Sequence, residues 1–397
     1  MNPNLNQLQA YPFARLRLAT EGISPPDGAT PIPLHIGEPK HPTPKIITDA
    51  LTANIDKLSV YPATAGLPEL KQACAEWLHR RYDGLTVNAQ TEVLPVLGSR
   101  EALFSFVQTV INAAADKQPI VVCPNPFYQI YEGAALLAGA RVVFANCNAP
   151  RFLPNWADIS EADWQQTQLV FVCSPNNPSG AVMNQQEWAE LFALQDQYGF
   201  IIASDECYSE IYFDQKPLGA LQAAAQLGRG FDKLVMFTSL SKRSNAPGLR
   251  SGFVAGDAKL LEAFLLYRTY HGSAMSLPIQ YASMAAWQDE QHVEENRRLY
   301  REKFAAILPI LAETFEIQQP DASFYIWLKV PGGNDLAFTQ TLWREAAIQV
   351  LPGRFLGRDT ANGNAGMGYV RIALVAPLEQ CIAAAHKIVG CAKNLTV

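Results

Sequence analysis

Lys242 lies in Ser239-Leu240-Ser241-Lys242-Arg243, directly after the apolar run Leu234-Val235-Met236-Phe237, and Arg250 follows in the same loop. Alone, it reads as a solvated loop lysine. In a dry pocket or beside other cations, a lysine gives up its proton and becomes a nucleophilic amine. Ser239, Ser241 and Arg250 are residue types that bind phosphate. Three further stretches repeat the pattern of chemistry placed after an apolar run. Asp205, in Ser204-Asp205-Glu206-Cys207-Tyr208, ends the run Phe200-Ile201-Ile202-Ala203. A carboxylate there is either a helix cap or needs a cation or hydrogen-bond donors. Ser174-Pro175-Asn176-Asn177-Pro178-Ser179-Gly180 follows Val170-Phe171-Val172-Cys173 and reads as a rigid turn. Gly98-Ser99-Arg100-Glu101 opens a helix, as an ordinary cap or as an anion site made of free N–H groups. Taken together, these groups describe one ligand: an aldehyde for Lys242, a phosphate for the Ser/Arg set and a basic ring nitrogen for Asp205. That ligand is pyridoxal 5'-phosphate.

The elements that must position these groups are strands and helices in alternation. The pattern predicts strands at 119–123, 141–145, 168–173, 200–204, 234–238 and 252–255. Helices are predicted at 66–82, from Gly98 to about Ala115, and from Gln186 to Tyr198. Continuous apolar strands separated by helices imply a mostly parallel sheet covered on both faces. Beyond about residue 275 the pattern changes. One long helix is predicted over roughly 278–315, then strands at 324–330, 348–351 and 369–374, with helices at 335–346 and 377–393. The expected organisation is a large domain over 46–280, with 1–45 and 281–397 forming an N-terminal arm plus a small α+β domain. Gly363, Gly366 and Gly368 lack the G-x-G-x-x-G spacing and read as a loop.

Composition narrows the function classes. The chain has 397 residues, 49% apolar and 17% charged, with a net charge of −6, so no basic field points to nucleic acid or an acidic membrane. Seven cysteines without a C-x-x-C pair read as buried free thiols. No basic-then-apolar leader and no apolar run of spanning length are apparent, which predicts a cytoplasmic protein. Asn394-Leu395-Thr396 matches a glycosylation acceptor that such a compartment would not use.

From about Gly37 to Arg371 the motifs, in their order, resemble the fold-type I (class I/II) pyridoxal-phosphate aminotransferases. The resemblance implies an α/β fold with a large, mostly parallel sheet and a smaller domain. It implies Lys242 as the Schiff-base lysine of a ping-pong reaction through its aldimine, and Asp205 as partner of the ring nitrogen. Asn177 and Tyr208 would reach the phenolic oxygen, and Tyr128 would stack on the ring. Ser99, Arg100, Ser239, Ser241 and Arg250 would hold the phosphate. Tyr61, in Val60-Tyr61-Pro62-Ala63, matches a tyrosine that reaches the partner subunit's cofactor, which implies a homodimer with shared sites. Arg371 and Gly37 match the groups that take the substrate α-carboxylate. The pattern departs from the family at Ser174, where asparagine is usual, and at Arg100, where many members are uncharged. Pro124–Gly133 and Gly37–Pro42 resemble most closely the bacterial succinyldiaminopimelate aminotransferases of lysine biosynthesis, which use glutamate and an N-succinylated oxopimelate. Such substrates call for a further cation, with Arg15, Arg100, Arg243 and Arg354 as candidates. Alternatives on the same scaffold are an aspartate- or aromatic-type aminotransferase, a C–S lyase or decarboxylase, and a non-catalytic cofactor-binding regulator.

Overall fold

A computed structural model describes residues 1–395, with side chains through Lys393; the Asn394 acceptor motif lies outside the described side chains. The strands in chain order are β1 Ile32–Pro33, β2 Val93–Val96, β3 Ile120–Asn125, β4 Arg141–Asn148, β5 Leu153–Pro154, β6 Thr167–Cys173 and β7 Ile201–Asp205. They continue as β8 Leu234–Ser239, β9 Gly252–Gly256, β10 Tyr325–Lys329, β11 Ile348–Gln349, β12 Leu351–Pro352 and β13 Tyr369–Ala373.

Eight strands form the large sheet in the order β2-β9-β8-β7-β6-β3-β4-β5. The stretch β4-β3-β6-β7-β8 is parallel, while β9 and β2 alternate direction at one side and β5 at the other. All six expected large-sheet strands form. The parallel ones are apolar on both faces because helices cover both. Alternate residues supply two separate cores: Val170, Val172, Ile202 and Met236 pack on one side, and Leu169, Phe171, Ala203 and Val235 on the other. Strand β2 is not among the expected strands, and Pro95 lies inside it. It is an edge strand paired only with β9, where a missing N–H is tolerated.

A three-stranded antiparallel sheet, β10-β13-β12, has its own core around Phe304, Leu342, Ile372 and Ile388. The N-terminal arm returns to this side, since β1 pairs in parallel with β11. The strand expected at 348–351 is thus two segments. Ile348–Gln349 pairs with the arm and Leu351–Pro352 with β13, the chain changing partner at buried Val350.

The single helix expected over 278–315 is two helices, Leu277–Gln288 and Gln291–Ala312. Asp289 is extended, and its carboxylate accepts from the His292 backbone N–H at 3.0 Å and lies 2.6 Å from His292 Nδ1, which starts the second helix afresh. The first helix packs on Lys45–Ala53 and Pro68–Arg81, the second on Leu378–Leu395. The helix opened by Gly98 is shorter than expected, Ser99–Val110, because Ile111 turns extended and the Asn112 N–H donates to Gln168. The described cysteines are free and buried. Among the described residues no helix is long and apolar enough to cross a membrane.

Candidate active site

Register places the chemistry. Cys173, Asp205 and Phe237 are aligned neighbours across β6, β7 and β8, so the loops after these parallel strands leave one edge together. Ser239 pairs with Gly252, and Gly252 with Val96, which brings the start of β9 and the end of β2 to the same edge. Asn177, Asp205, Lys242, Arg250 and Ser99 therefore converge outside the carboxyl ends of the strands, the usual ligand position in open α/β sheets. They line a cavity of about 630 Å³. Every expected site residue lines it except Tyr61.

Lys242 is two residues into the short helix that follows Ser239. Its Nζ donates to the Gly37 carbonyl. Burial pushes its ammonium down to about 8; the guanidinia of Arg371 and Arg100 add to this, and Cys207 and Glu38 oppose it. Asn296 holds the loop from behind. Its Nδ2 donates to the Lys242 carbonyl at 3.2 Å, while its Oδ1 accepts from Asn245 Nδ2 at 2.9 Å and lies 3.0 Å from His41 Nδ1. The lysine loop, the arm and the helix Gln291–Ala312 are thereby tied at one side chain.

Asp205 is buried, and burial pushes its carboxyl above the usual range. Two donors counter that shift: Tyr131 Oη at 2.7 Å and the Cys207 N–H at 3.2 Å. A buried carboxylate held by donors, with no ion-pair partner among the described residues, suits a cationic ring nitrogen. Arg371 is buried as well. Its Nη1 donates to Asn177 Oδ1 at 2.9 Å, its Nη2 to the His35 carbonyl at 2.8 Å, and its guanidinium lies 4.4 Å from the centre of the Tyr325 ring. Its buried Nε has no partner among the described residues. Tyr208 and Tyr325 hydroxyls are 2.9 Å apart.

The anion cradle is equally specific. The helix Ser99–Val110 starts without a side-chain cap, so its first N–H groups are free for an anion. Gly98 has φ 80°, and a Cβ there would meet Arg250 Nη2 at 2.7 Å, so only glycine lets that guanidinium close over the turn. Arg250 itself has φ 53°, a strained backbone of the kind that collects at functional sites. Ser239 and Ser241 hydroxyls are 2.9 Å apart at the same turn. Free amides, two hydroxyls and a guanidinium fit a phosphate dianion, and Lys242 and Asp205 fit an aldehyde and a ring nitrogen. The donor set as a whole fits pyridoxal phosphate.

Three of the four arginine candidates for a further carboxylate are engaged elsewhere. Arg243 is buried, bonded to Glu290 at 2.6 Å and the Ala286 carbonyl at 2.7 Å, and lies 4.9 Å from the centre of the Trp287 ring. Arg354 pairs with buried Asp335 at 2.7 Å. The Arg15 guanidinium lies 4.3 Å from the centre of the Phe355 ring, outside the cavity lining. Sequence reasoning missed Tyr131, Tyr325 and Asn296, and also the wall that Tyr11, Pro12 and Phe13 of the helix Pro12–Ala19 contribute. Tyr128 lies just before the helix Ile130–Leu137, and the Tyr131 N–H donates to its carbonyl at 3.0 Å, a turn that brings the two rings together.

An α/β sheet with a lysine, a buried aspartate and a phosphate cradle at its carboxyl edge defines a class of cofactor-dependent enzyme. Comparison with known proteins gives the family. Residues 29–388 match the family described as "Aminotransferase class I and II". An aminotransferase structure from Neisseria meningitidis is 69% identical with a TM-score of 0.97, covering 99% of this chain and 100% of that one. An LL-diaminopimelate aminotransferase of Desulforudis audaxviator is 31% identical over 99% of this chain and 98% of its own length. A structure described as a probable N-succinyldiaminopimelate aminotransferase from Thermus thermophilus is 25% identical with a TM-score of 0.84, covering 96% of this chain and 100% of that one. The chain belongs to the class I and II aminotransferases, which depend on pyridoxal phosphate.

Proposed function

We propose that this aminotransferase moves an amino group between glutamate or 2-oxoglutarate and a diaminopimelate-type substrate, with the N-succinylated pair as the first reading. The observation that carries the reaction class is the meeting of Lys242, Asp205 and Arg371 in one cavity. Likeness of the motif set to succinyldiaminopimelate aminotransferases, and the Thermus thermophilus structure so described, support the succinylated substrate. The name of the Desulforudis audaxviator relative favours a second reading, free LL-diaminopimelate.

In this reading Lys242 would hold the cofactor covalently. As a free amine, Lys242 Nζ would take the proton from the carbon that bears the amino group. A base so positioned contributes roughly 10²–10⁴-fold. Bound pyridoxal phosphate supplies an electron sink for that carbon. Asp205 stays charged to keep the ring nitrogen protonated. Asn177 and Tyr208 would orient the phenolic oxygen and Tyr128 would lie against the ring. Ser99, Arg100, Ser239, Ser241 and Arg250 hold the phosphate, the first two through backbone amides. Arg371 grips the α-carboxylate beside Gly37.

Tyr61 is fully exposed and, among this chain's cavity-lining residues, has no place. Exposed Ile55, Leu58 and Val60 flank it. We assign it to the partner subunit's site in a homodimer. The expected division, a large domain over 46–280 and a small one made of 1–45 and 281–397, would cut the helix Leu277–Gln288, which packs on Lys45–Ala53 and Pro68–Arg81; we place the boundary instead at the break at Asp289.

A panel of amino donors and oxo-acid acceptors tests the reading. The expected result is turnover that requires an oxo acid and is fastest with the succinylated diaminopimelate pair. Faster turnover of free LL-diaminopimelate would select the second reading. Release of ammonia and an oxo acid without any acceptor would overturn both in favour of a lyase.

A further inference from the structure

His41 follows Gly37 in the N-terminal arm, and the arm meets the lysine loop more than once. The Gly37 carbonyl accepts from Lys242 Nζ, and Thr43 Oγ1 donates to the Asn245 carbonyl at 2.8 Å. Between these contacts the His41 ring packs on Tyr300, ring centres 4.7 Å apart, with Lys303 at one nitrogen and Asn296 at the other. Both partners belong to the helix Gln291–Ala312, and both are buried.

Lys303 Nζ lies 2.8 Å from His41 Nε2 and donates to the Leu374 carbonyl at 3.2 Å. Among the described residues no carboxylate pairs with it. An ammonium only donates, so His41 Nε2 accepts. The imidazole is therefore neutral, with its proton on Nδ1, which donates to Asn296 Oδ1 at 3.0 Å. Asn245 Nδ2 donates to the same oxygen at 2.9 Å. That orients the Asn296 amide, whose Nδ2 faces the Lys242 and Arg243 carbonyls at 3.2 and 3.4 Å. Every bond from Lys303 through His41 and Asn296 to the Lys242 backbone thus runs in one direction. The other tautomer would set an N–H against the ammonium and a bare ring nitrogen against the amide oxygen, a costly arrangement for buried groups. Burial, with Lys303 beside it, lowers the affinity of the ring for a second proton, against the Asn296 bond and Glu295.

We propose that His41 is a positioning residue for Lys242. Held in its Nδ1–H form by Lys303, it sets Asn296, and Asn296 fixes the backbone carbonyl of the lysine whose amine does the chemistry. The proposal rests on Lys242 as the cofactor-bearing lysine of the proposed function.

The test reads the ring first and its consequence second. In the cofactor-free protein, nitrogen NMR of the histidine rings identifies His41 by the signal lost in His41→Phe. That ring is expected to be protonated at Nδ1 and bare at Nε2 from about pH 6 to about pH 8. His41→Phe keeps a ring against Tyr300 and loses both bonds. Its kcat is expected to fall by about 10–100-fold with KM for the amino donor within about twofold, the mark of a misaimed lysine rather than of lost substrate binding. Uptake of pyridoxal phosphate by the cofactor-free variant is expected to slow by about tenfold. His41→Asn, whose amide can donate from the place of Nδ1, is expected to recover most of both losses. Asn296→Ser serves if the phenylalanine variant does not fold, with the same losses expected. A His41 ring protonated at Nε2 in the unaltered protein, unchanged kcat and uptake in folded His41→Phe, or equal losses in His41→Asn would overturn the proposal. If the unaltered protein transfers no amino group, the proposed function fails, and the ring nitrogens together with the uptake rate still decide His41.

Discussion

The Tyr131 hydroxyl donates to Asp205 Oδ2 at 2.7 Å, in a position where both groups are buried. A lone buried carboxylate takes up a proton, and a donor aimed at its charged form resists that. Tyr131 also stacks on Phe171, ring centres 4.3 Å apart and planes within 12°, so a phenylalanine would keep the packing and lose only the hydroxyl. Tyr131→Phe is expected to leave the fold intact and to lower kcat and cofactor affinity by about tenfold, in line with about 1–3 kcal/mol for a donor lost from a charged group. Steady-state kinetics and a cofactor titration check this; unchanged values would remove Tyr131 from the site.

Gly37 faces Tyr325 so closely that an added Cβ would lie 1.9 Å from its hydroxyl oxygen and 2.7 Å from the ring carbon that carries it. Tyr325 is buried and bonded to Tyr208, so it cannot yield without disturbing the site. Gly37→Ala is expected to lower kcat/KM by about 100-fold, the cost of displacing positioned groups by around an ångström. Kinetics on the folded variant check it. A near-normal value would show that Tyr325 moves freely.

How much of this was legible follows from the kind of signal each residue carries. Lys242, Asp205 and Asn177 each end or follow a continuous apolar run, and a parallel sheet sends such loops to one edge. Their meeting therefore follows from sequence order. Tyr325 and Arg371 meet through register. Trp327 pairs with Arg371, so Tyr325 lies diagonally beside it on the same face, and that pairing is set by tertiary structure. Asn296 touches the lysine loop from a helix 54 residues further on, with no local mark of its role. The break at Asp289 was hidden because helical periodicity continues on both sides of it.

Arg243 is part of the fold. Buried between Glu290 and the Trp77 and Trp287 rings, it has the surroundings of a packing residue. Arg243→Ala is expected to cost about 3 kcal/mol, the scale for breaking a buried pair, tempered because Glu290 is half exposed. It should leave the preference among amino donors unaltered. Denaturant unfolding and a donor panel separate the two readings, and a changed preference would return Arg243 to the substrate site.

Lys242 gives a pH dependence with a definite sign. Its ammonium is held down to about 8, so the free amine appears as pH rises through that value. Uptake of cofactor by the cofactor-free protein is expected to accelerate through about pH 8 and level off above it. Arg371→Leu removes a neighbouring positive charge, which favours the ammonium and moves the midpoint to higher pH. Uptake rates across pH check both; a midpoint near that of an ordinary lysine would contradict the dry, cationic surroundings.

The most direct test of the account is to find where the cofactor is attached. The loaded protein is reduced with borohydride, digested, and its peptides are weighed by mass spectrometry. The account predicts the cofactor fixed on Lys242 in the unaltered protein, and in Lys242→Ala no fixed cofactor, no visible absorbance band of the bound group and no turnover. Attachment at another lysine, or retained turnover in Lys242→Ala, would contradict it.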